Sequence, residues 1–234
     1  MTTGVFGSAE RGGVRTGWAV SYPPGNRDGD ALPVLVALHG RGADYRTSFD
    51  LLVLDRFLAL AVEAGVPPFA VASVDGGDRY WHERSAGDDG GAMVTEEFLP
   101  LLAGRGLRTD RLGLFGWSMG GYGALLLATE TPARAVAVSS PALWTDPGSS
   151  SPGSFDDAAD FAAHDVFDRR EELQEIPLRV DCGTSDSFYG ATQEFVSGLA
   201  PRPAGGFQPG GHDAGYWRRV APAQLAFIGR RLAQ

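Results

Sequence analysis

The chain of 234 residues contains a single cysteine, Cys182. One cysteine excludes an intramolecular disulfide, but a chain of this length can bury a sufficient core without covalent cross-links. Other signatures are missing as well: there is no Cys/His spacing of a zinc site, no Gly-x-x-x-x-Gly-Lys phosphate loop and no G-x-G-x-x-G after a first strand. We therefore expect no cofactor and no bound metal.

Basic residues are also scarce, since 20 Lys and Arg face 29 Asp and Glu and give a net charge of −9. This balance argues against nucleic acid or an anionic membrane surface as a partner. No apolar run approaches the roughly 18 residues of a membrane span, and residues 1–4 lack the basic and apolar parts of a signal peptide. We expect a cytoplasmic protein without a membrane span.

The remaining composition, 43% hydrophobic and 21% charged, is that of a globular protein. Apolar runs and helical spacing alternate along the chain. Predicted strands cover residues 14–22 (an edge strand or hairpin arm), 33–40, 69–74, 112–115, 134–139, 178–182 and 206–208. Predicted helices cover residues 49–64, 92–103, 119–129, 156–173, 192–199 and 217–232.

This alternation predicts one α/β domain over residues 1–234, with a mostly parallel sheet covered by helices on both faces. Residues 144–173 differ in composition: a Ser/Gly/Pro-rich stretch is followed by a polar one. We interpret them as a short lid-like or cap insertion over the sheet edge. Functional groups of such sheets gather at the carboxyl ends of the strands.

A nucleophile motif lies between a predicted strand and a predicted helix. Gly116, Ser118 and Gly120 occupy the fixed positions of the G-x-S-x-G elbow. A strand that reverses into a helix within a few residues strains the serine backbone, and larger neighbours would collide with the adjacent elements. The motif therefore predicts a serine hydroxyl exposed at the carboxyl edge of the sheet.

A serine nucleophile needs a base, and the chain has four histidines. His212 lies late in the chain on a glycine-bracketed loop, as the order Ser…Asp/Glu…His requires. His39 follows a buried strand and is expected to order its loop, His82 lies in an aromatic loop, and His164 is expected at the surface. We therefore predict His212 as the base.

The acid that orients the base is predicted to be Asp186, which follows the strand 178–182. Asp181 is the competitor but lies within the strand, and Asp213 is too close in sequence to His212 to turn back onto its ring. The alternative role of Asp186 is a cap for the residues that follow.

Two amide donors are expected to stabilise a tetrahedral oxyanion. One is the N–H of Met119, the residue after the nucleophile. The second is assigned to Arg41, with Gly40 or Gly42 as alternatives, because it should come from the loop after the first buried strand. An ordinary glycine turn is the competing interpretation of this loop.

Several residues that flank these positions are expected to line a substrate pocket, with ordinary core packing as the alternative. They are His39, Gly40, Tyr80, Trp81, Trp117, Tyr122 and Trp144. The acidic stretch that contains Asp75, Asp78, Asp88 and Asp89 does not have EF-hand spacing, and we interpret it as a solvated loop.

The four motifs together resemble the α/β-hydrolase family. They are Leu38-His39-Gly40-Arg41-Gly42, Gly116-Trp117-Ser118-Met119-Gly120-Gly121, Cys182-Gly183-Thr184-Ser185-Asp186 and Gly210-Gly211-His212-Asp213. The elbow most resembles the esterase branch, which includes esterase D-like enzymes, feruloyl esterases and antigen 85 mycolyltransferases. The resemblance extends over roughly residues 32–232. This branch often has an aromatic residue close after the histidine; here Asp213 intervenes, and only Tyr216 and Trp217 are similar to that pattern.

The resemblance implies the α/β-hydrolase fold and a serine carboxylesterase that cleaves a small or medium acyl ester through an acyl-enzyme. An acyltransferase or a thioesterase would use the same three side chains. A non-catalytic binding protein on the same scaffold is the alternative from another class. The expected partner is a small-molecule ester.

Overall fold

The computed structural model describes residues 1–234 and is built on one eight-stranded sheet. The strands are β1 Thr2–Ser8, β2 Val14–Ser21, β3 Pro33–Leu38, β4 Ala70–Val74, β5 Arg108–Trp117, β6 Ala135–Ser139, β7 Leu178–Gly183 and β8 Ala204–Gln208. Their spatial order is β1-β2-β4-β3-β5-β6-β7-β8. β2 pairs antiparallel with β1 and β4, whereas all other neighbours are parallel. The predicted mostly parallel α/β sheet is confirmed.

Helices cover both faces of the sheet. They are α1 Thr47–Asp50, α2 Leu54–Glu63, α3 Gly90–Ala92, α4 Leu99–Gly104, α5 Met119–Glu130, α6 Ala158–Ala163, α7 Arg170–Gln174, α8 Tyr189–Ser197 and α9 Ala214–Leu232, with a π-helical stretch at Met93–Phe98 and a 3₁₀ turn at Pro147–Ser149. None of these helices combines the length and the apolar content that crossing a bilayer requires.

The two faces of the sheet carry separate hydrophobic clusters, because neighbouring strand residues point to opposite sides. In β3, Val34 and Val36 belong to one cluster, and Leu35 and Ala37 belong to the other. The strand is buried on both faces, which explains its unbroken apolar sequence. α5 packs on the first face and is buried along most of its length, whereas α9 packs on the second.

The strand predictions need two corrections at the amino-terminal edge. The sequence pattern does not predict β1, because two glycines interrupt a segment that is otherwise mostly small or polar, although the burial of its residues alternates along the strand. β1 pairs antiparallel with β2 across the turn that follows Ser8, so residues 14–22 are an arm of a hairpin, which was one of the two predicted alternatives. They are not the edge of the sheet, because β2 has a partner on each side. Gly4 permits this pairing, since a Cβ there would lie 2.9 Å from the indole nitrogen of Trp18.

Two segments predicted as continuous helices are each divided into two shorter helices. The helix predicted over residues 49–64 is divided into α1 and α2 by Val53, which has a left-handed φ of 50°. The break lets Phe49, Leu52 and Leu58 all reach the same hydrophobic cluster. The helix predicted within residues 156–173 is likewise two short helices, α6 and α7, separated by a turn.

Residues 144–173 form the connection between β6 and β7 and contain both of these short helices. They are anchored to the rest of the chain by apolar side chains that join the first hydrophobic cluster. These are Trp144, Phe161, Val166, Phe167 and Leu173. The guanidinium of Arg84, itself almost fully buried, adds a polar anchor by donating to Asp156 at 2.7 Å and to the carbonyl of Gly153 at 3.0 Å.

Candidate active site

Ser118 occupies the sharp turn between β5 and α5, with φ 55° and ψ −122°. A non-glycine residue with these backbone angles is strained by about 1–3 kcal/mol, and the packing of the surrounding residues must offset this cost. Glycine is required on both sides of the turn. A Cβ at Gly116 would overlap the carbonyl of Gly120, and a Cβ at Gly120 would overlap the carbonyl of Leu38. The spacing of the sequence motif therefore has a direct steric cause.

Three polar side chains meet beside this turn. Ser118 Oγ lies 2.9 Å from His212 Nε2, and His212 Nδ1 lies 3.1 and 3.0 Å from the two carboxylate oxygens of Asp186. The residues follow β5, β7 and β8, whose carboxyl ends lie at one edge of the parallel sheet. Nδ1–H donates to the carboxylate, so Nε2 carries the lone pair that faces the serine hydroxyl.

The imidazole of His212 is held by aromatic rings as well as by hydrogen bonds. The rings of Phe188 and Trp217 meet it edge-on, with centroids 5.2 and 5.0 Å away. Trp217 is fixed in turn by its indole N–H, which donates to Ser140 Oγ at 3.1 Å. Because the side chain of His212 is still 29% exposed, the imidazole is both held in position and accessible.

The carboxylate of Asp186 is fully buried. Burial alone would raise its pKa, but hydrogen bonds from His212 and from the backbone N–H of Phe188, the latter at 2.9 Å, outweigh burial and lower the pKa. Asp186 is therefore an anion at neutral pH. A buried anion next to Nδ1 stabilises the positive charge that the imidazole acquires when it takes a proton.

The competing acids are engaged elsewhere. Asp181 is buried between Arg179, whose Nε donates at 2.7 Å, and Gln224, whose amide donates at 2.9 Å. Asp213 accepts the N–H of Tyr216 at 3.0 Å and caps the start of α9. Neither carboxylate has a hydrogen bond to His212.

Backbone N–H groups without a protein acceptor lie next to Ser118 and in the loop after β3 that lines the same cleft. Met119 opens α5, so its N–H has no carbonyl partner within the helix. The N–H groups of Gly40 and Arg41 donate to no protein acceptor, whereas that of Gly42 donates to Asp78 at 2.6 Å. This bond removes Gly42 from the alternatives for the second donor.

Gly40 also brings its loop close to the nucleophile. A Cβ on this residue would lie 3.3 Å from Ser118 Cβ and 2.9 Å from the indole nitrogen of Trp117. The absence of a side chain therefore lets the backbone of residues 40–41 approach Ser118. A cleft of about 770 Å³ opens here between the loop after β3, α1 and the turn of Ser118.

The lining of this cleft differs from the predicted pocket. Gly40 and Trp117 line it, together with Trp217 and four charged side chains, Arg41, Asp44, Arg46 and Asp50. A separate cavity of about 440 Å³ between α7, β8 and α9 contains neither serine nor histidine. Of these two cavities, the cleft is the one that contains Ser118 and His212.

The other predicted pocket residues do not line the cleft. His39 is fully buried, and its Nε2 accepts the N–H of Gly76 at 3.0 Å, so it orders two loops. Trp81 packs against Gly76 and Gly123 and donates its indole N–H to the carbonyl of His39. These contacts account for the burial of His39 and Trp81. Both residues therefore follow the core-packing alternative and do not line the cleft.

Tyr80, Tyr122 and Trp144 are likewise absent from the cleft lining. They are buried in an aromatic cluster around Phe155, with ring centroids 5.8–6.4 Å from its ring. The hydroxyl of Tyr122 donates to the carbonyl of His164 at 2.9 Å, so its polar end is already paired within the protein.

Sequence reasoning does not identify Phe188 and Ser140 as parts of the site. Ser140 follows β6 directly, and a polar residue after a buried strand is the available signal. Phe188 offers no such signal, because an aromatic residue near a loop is common and only the fold shows that it contacts the imidazole.

Comparison with known proteins agrees with this architecture. The Esterase family model matches residues 10–228. No curated protein matches the chain. Among solved structures, a ferulic acid esterase is similar with a TM-score of 0.82 at 21% identity, over 98% of this chain and 97% of that chain.

Two further structures are similar over most of their length. An S-formylglutathione hydrolase from Agrobacterium tumefaciens has a TM-score of 0.77 at 18% identity, with 98% of this chain and 94% of that chain covered. MPT51 from Mycobacterium tuberculosis has a TM-score of 0.74 at 16% identity, with 94% of each chain covered. The predicted α/β-hydrolase fold is confirmed.

Proposed function

The chain belongs to the Esterase family and is a carboxylic ester hydrolase of the α/β-hydrolase fold, and we propose that it works through an acyl-enzyme on Ser118. His212 is the general base and acid, and Asp186 orients and charge-balances it. The observation that carries this proposal is the unbroken hydrogen-bond chain from Ser118 Oγ through both nitrogens of His212 to Asp186, with distances of 2.9, 3.1 and 3.0 Å.

The first half-reaction forms the acyl-enzyme. Ser118 Oγ attacks the ester carbonyl carbon while Nε2 of His212 takes the hydroxyl proton, and the carbonyl π electrons move onto oxygen. The N–H groups of Met119 and Arg41 donate to this oxyanion. The intermediate then collapses, the bond to the alkoxy oxygen breaks, and Nε2–H protonates the departing alcohol.

The second half-reaction releases the acid. Water replaces the alcohol, Nε2 takes one of its protons, and the hydroxide oxygen attacks the acyl carbon. A second oxyanion forms in the same place. It collapses as the bond between the acyl carbon and Ser118 Oγ breaks, and Nε2–H returns the proton to Ser118 Oγ. The anion of Asp186 stabilises the imidazolium in both halves, because it is buried and adjacent to Nδ1.

The shape and charge of the cleft favour a small or medium acyl ester with polar groups. Its volume of about 770 Å³ accommodates a small molecule, and its charged lining residues include Arg41 and Arg46 as well as Asp44 and Asp50. A long alkyl chain would find few apolar partners among these side chains.

An acyltransferase or a thioesterase remains the alternative within enzymes. One structural neighbour is an S-formylglutathione hydrolase, and another is a ferulic acid esterase. A thioester and an ester of an aromatic acid are therefore both worth assaying with this chain. An acyltransferase would pass the same acyl group to an alcohol in place of water.

The direct test is hydrolysis of a panel of p-nitrophenyl esters of increasing acyl length, with a thioester and a feruloyl ester beside them. We expect turnover to be fastest with the short acyl chains and to fall by about 10⁶-fold in Ser118→Ala. Alcohols added during turnover distinguish transfer, because a transferase would form the new ester. No turnover of any substrate would favour the non-catalytic binding alternative.

A further inference from the structure

A second cluster of polar side chains lies outside the cleft of Ser118 and plays no part in the proposed reaction. Nδ1 of His82 is 3.5 Å from Asp160 Oδ1, and Nδ1 of His164 is 2.8 Å from the same oxygen. One ligand atom from each of the three residues lies within 4.8 Å of the other two. None of the three lines the Ser118 cleft.

The hydrogen bonds of His82 leave one of its nitrogens without a suitable partner. Its Nε2 lies 3.1 Å from the carbonyl of Ser154, and its Nδ1 lies 2.9 Å from the carbonyl of Glu83. Both partners are acceptors, but a neutral imidazole has a single N–H. In the neutral form that would bind a metal ion, one of the two nitrogens therefore faces a carbonyl without a proton to donate.

Once Nε2–H donates to Ser154, the Nδ1 lone pair of His82 faces oxygen atoms and the second imidazole. The lone pair and these oxygen atoms repel each other, because all of them carry partial negative charge. A cation between them would attract each of these groups. Histidine ligands of metals typically donate their other N–H to a carbonyl or carboxylate, as Nε2 does here. The side chain of His82 is only 1% exposed, so bulk solvent does not surround its ring.

The carboxylate of Asp160 is oriented for the same role. Its Oδ2 accepts the N–H of Asp156 at 2.7 Å and lies 3.7 Å from the guanidinium of Arg84. These contacts hold one oxygen and turn the other, Oδ1, toward both imidazoles. Hydrogen-bonded carboxylates of this kind are usual among metal ligands.

We propose that His82, Asp160 and His164 bind one divalent transition-metal cation of the zinc type. Two imidazoles and one carboxylate are a ligand set that Zn²⁺ accepts in four-coordinate sites. Ca²⁺ and Mg²⁺ are disfavoured, because they require a shell of oxygens.

The surroundings leave room for a fourth ligand. His82 and His164 line a polar cavity of about 380 Å³, and its other walls include the carboxylates of Glu83, Glu96 and Glu130. Acidic walls attract a cation, and a water in this cavity completes a tetrahedral shell. Asp160 and His164 belong to the connection between β6 and β7, whereas His82 follows β4. The ion therefore ties that connection to the body of the fold.

The test is titration of the chelator-treated full-length protein with Zn²⁺ and with Co²⁺. We expect one ion per chain, a visible Co²⁺ spectrum typical of tetrahedral nitrogen and oxygen ligands, and no competition from Ca²⁺. Zn²⁺ should also raise the melting temperature and slow hydrogen exchange within residues 154–164. Absence of stoichiometric Zn²⁺ binding would overturn the proposal.

Variants locate the site. His164→Gln keeps an amide donor for Asp160 at a partly exposed position, so the chain should fold, which circular dichroism verifies. Its affinity for Zn²⁺ should fall by at least about 100-fold, since loss of an outer-shell partner alone costs about 10–100-fold. Glu96→Gln removes one acidic wall of the same cavity but no ligand, so its affinity for Zn²⁺ should fall far less than that of His164→Gln. His212→Ala should bind equally well, because the ion does not occupy the cleft of Ser118.

Two outcomes of these variants contradict the assignment. Wild-type affinity in a folded His164→Gln protein would show that the ion binds elsewhere. Loss of binding in His212→Ala would place the ion at the Ser118 cleft.

Discussion

Both carboxylate oxygens of Asp186 lie within hydrogen-bond distance of His212 Nδ1, at 3.1 and 3.0 Å. The contact joins the loop after β7 to the loop after β8, and it leaves Nε2 directed at Ser118 Oγ. We propose that the tautomer of the imidazole, and with it the reactivity of the serine, depends on a carboxylate that is 26 residues away along the chain.

Asp186→Asn tests that dependence. The amide can donate to Nδ1, so the imidazole would adopt the tautomer whose Nε2–H points at Ser118 and cannot accept its proton. We expect kcat for p-nitrophenyl acetate to fall by about 10⁴-fold. Asp213→Asn is the matched control: it weakens a helix cap by at most about 1 kcal/mol and should leave kcat within a few-fold of the wild type. Full activity in Asp186→Asn would show that the acid is assigned wrongly.

The backbone donor of Arg41 can be removed without touching the three side chains. Arg41→Pro lacks the N–H, and we expect kcat to fall by about 10²–10³-fold, as for loss of one oxyanion donor. Arg41→Ala keeps the N–H and loses only the side chain that lines the cleft, so its effect should appear mainly in KM. Equal kcat values for the two variants, measured with one ester, would shift the second donor to Gly40.

Steric exclusion at the nucleophile turn predicts opposite outcomes for two Gly→Ala substitutions. A Cβ at Gly120 would overlap the carbonyl of Leu38, whereas a Cβ at Gly190 in α8 would meet no atom within 4 Å. Gly120→Ala should lower the free energy of unfolding by about 1–3 kcal/mol or more. Gly190→Ala should raise it by about 0.5–1 kcal/mol. Urea unfolding measures both, and an unchanged stability in Gly120→Ala would contradict the close approach of this turn to the Leu38 carbonyl.

Acid stability should report the lowered pKa of Asp186. Burial raises this pKa, but the hydrogen bonds from His212 and Phe188 outweigh it, so the folded-state pKa lies below the unfolded value of about 3.9. The ionised group thus adds stability that is present above about pH 3.9 and is lost as the pH falls through the folded-state pKa. The advantage of wild type over Asp186→Asn in urea unfolding should shrink below about pH 4. If the advantage of wild type over Asp186→Asn instead grew as the pH fell, the folded-state pKa of Asp186 would not be lowered.

The sequence predicted that three polar side chains would meet, because each lies near a strand end marked by glycine. Gly116 and Gly120 bracket Ser118, Gly183 precedes Asp186, and residues 210–211 precede His212. A parallel sheet brings such strand ends to one edge, so the encounter of the three side chains follows from the order of elements. Their catalytic roles are the proposal that the experiments address.

The lining of the cleft did not follow from sequence. Tyr80 and Trp81 lie in a loop without periodicity, and nothing in their spacing indicates whether they face solvent or core. The break at Val53 was also hidden, because the residue is β-branched and gives no turn signal. His82 and His164 are far apart along the chain and come together only through the tertiary fold.

Labelling with a fluorophosphonate probe tests the central claim most directly, because the probe reacts only with a serine whose hydroxyl is activated by a base. The folded protein should acquire one adduct, and mass spectrometry of its peptides should place it on Ser118. His212→Ala should label far more slowly. An unlabelled Ser118 in folded protein, or an adduct on another serine, would contradict the account.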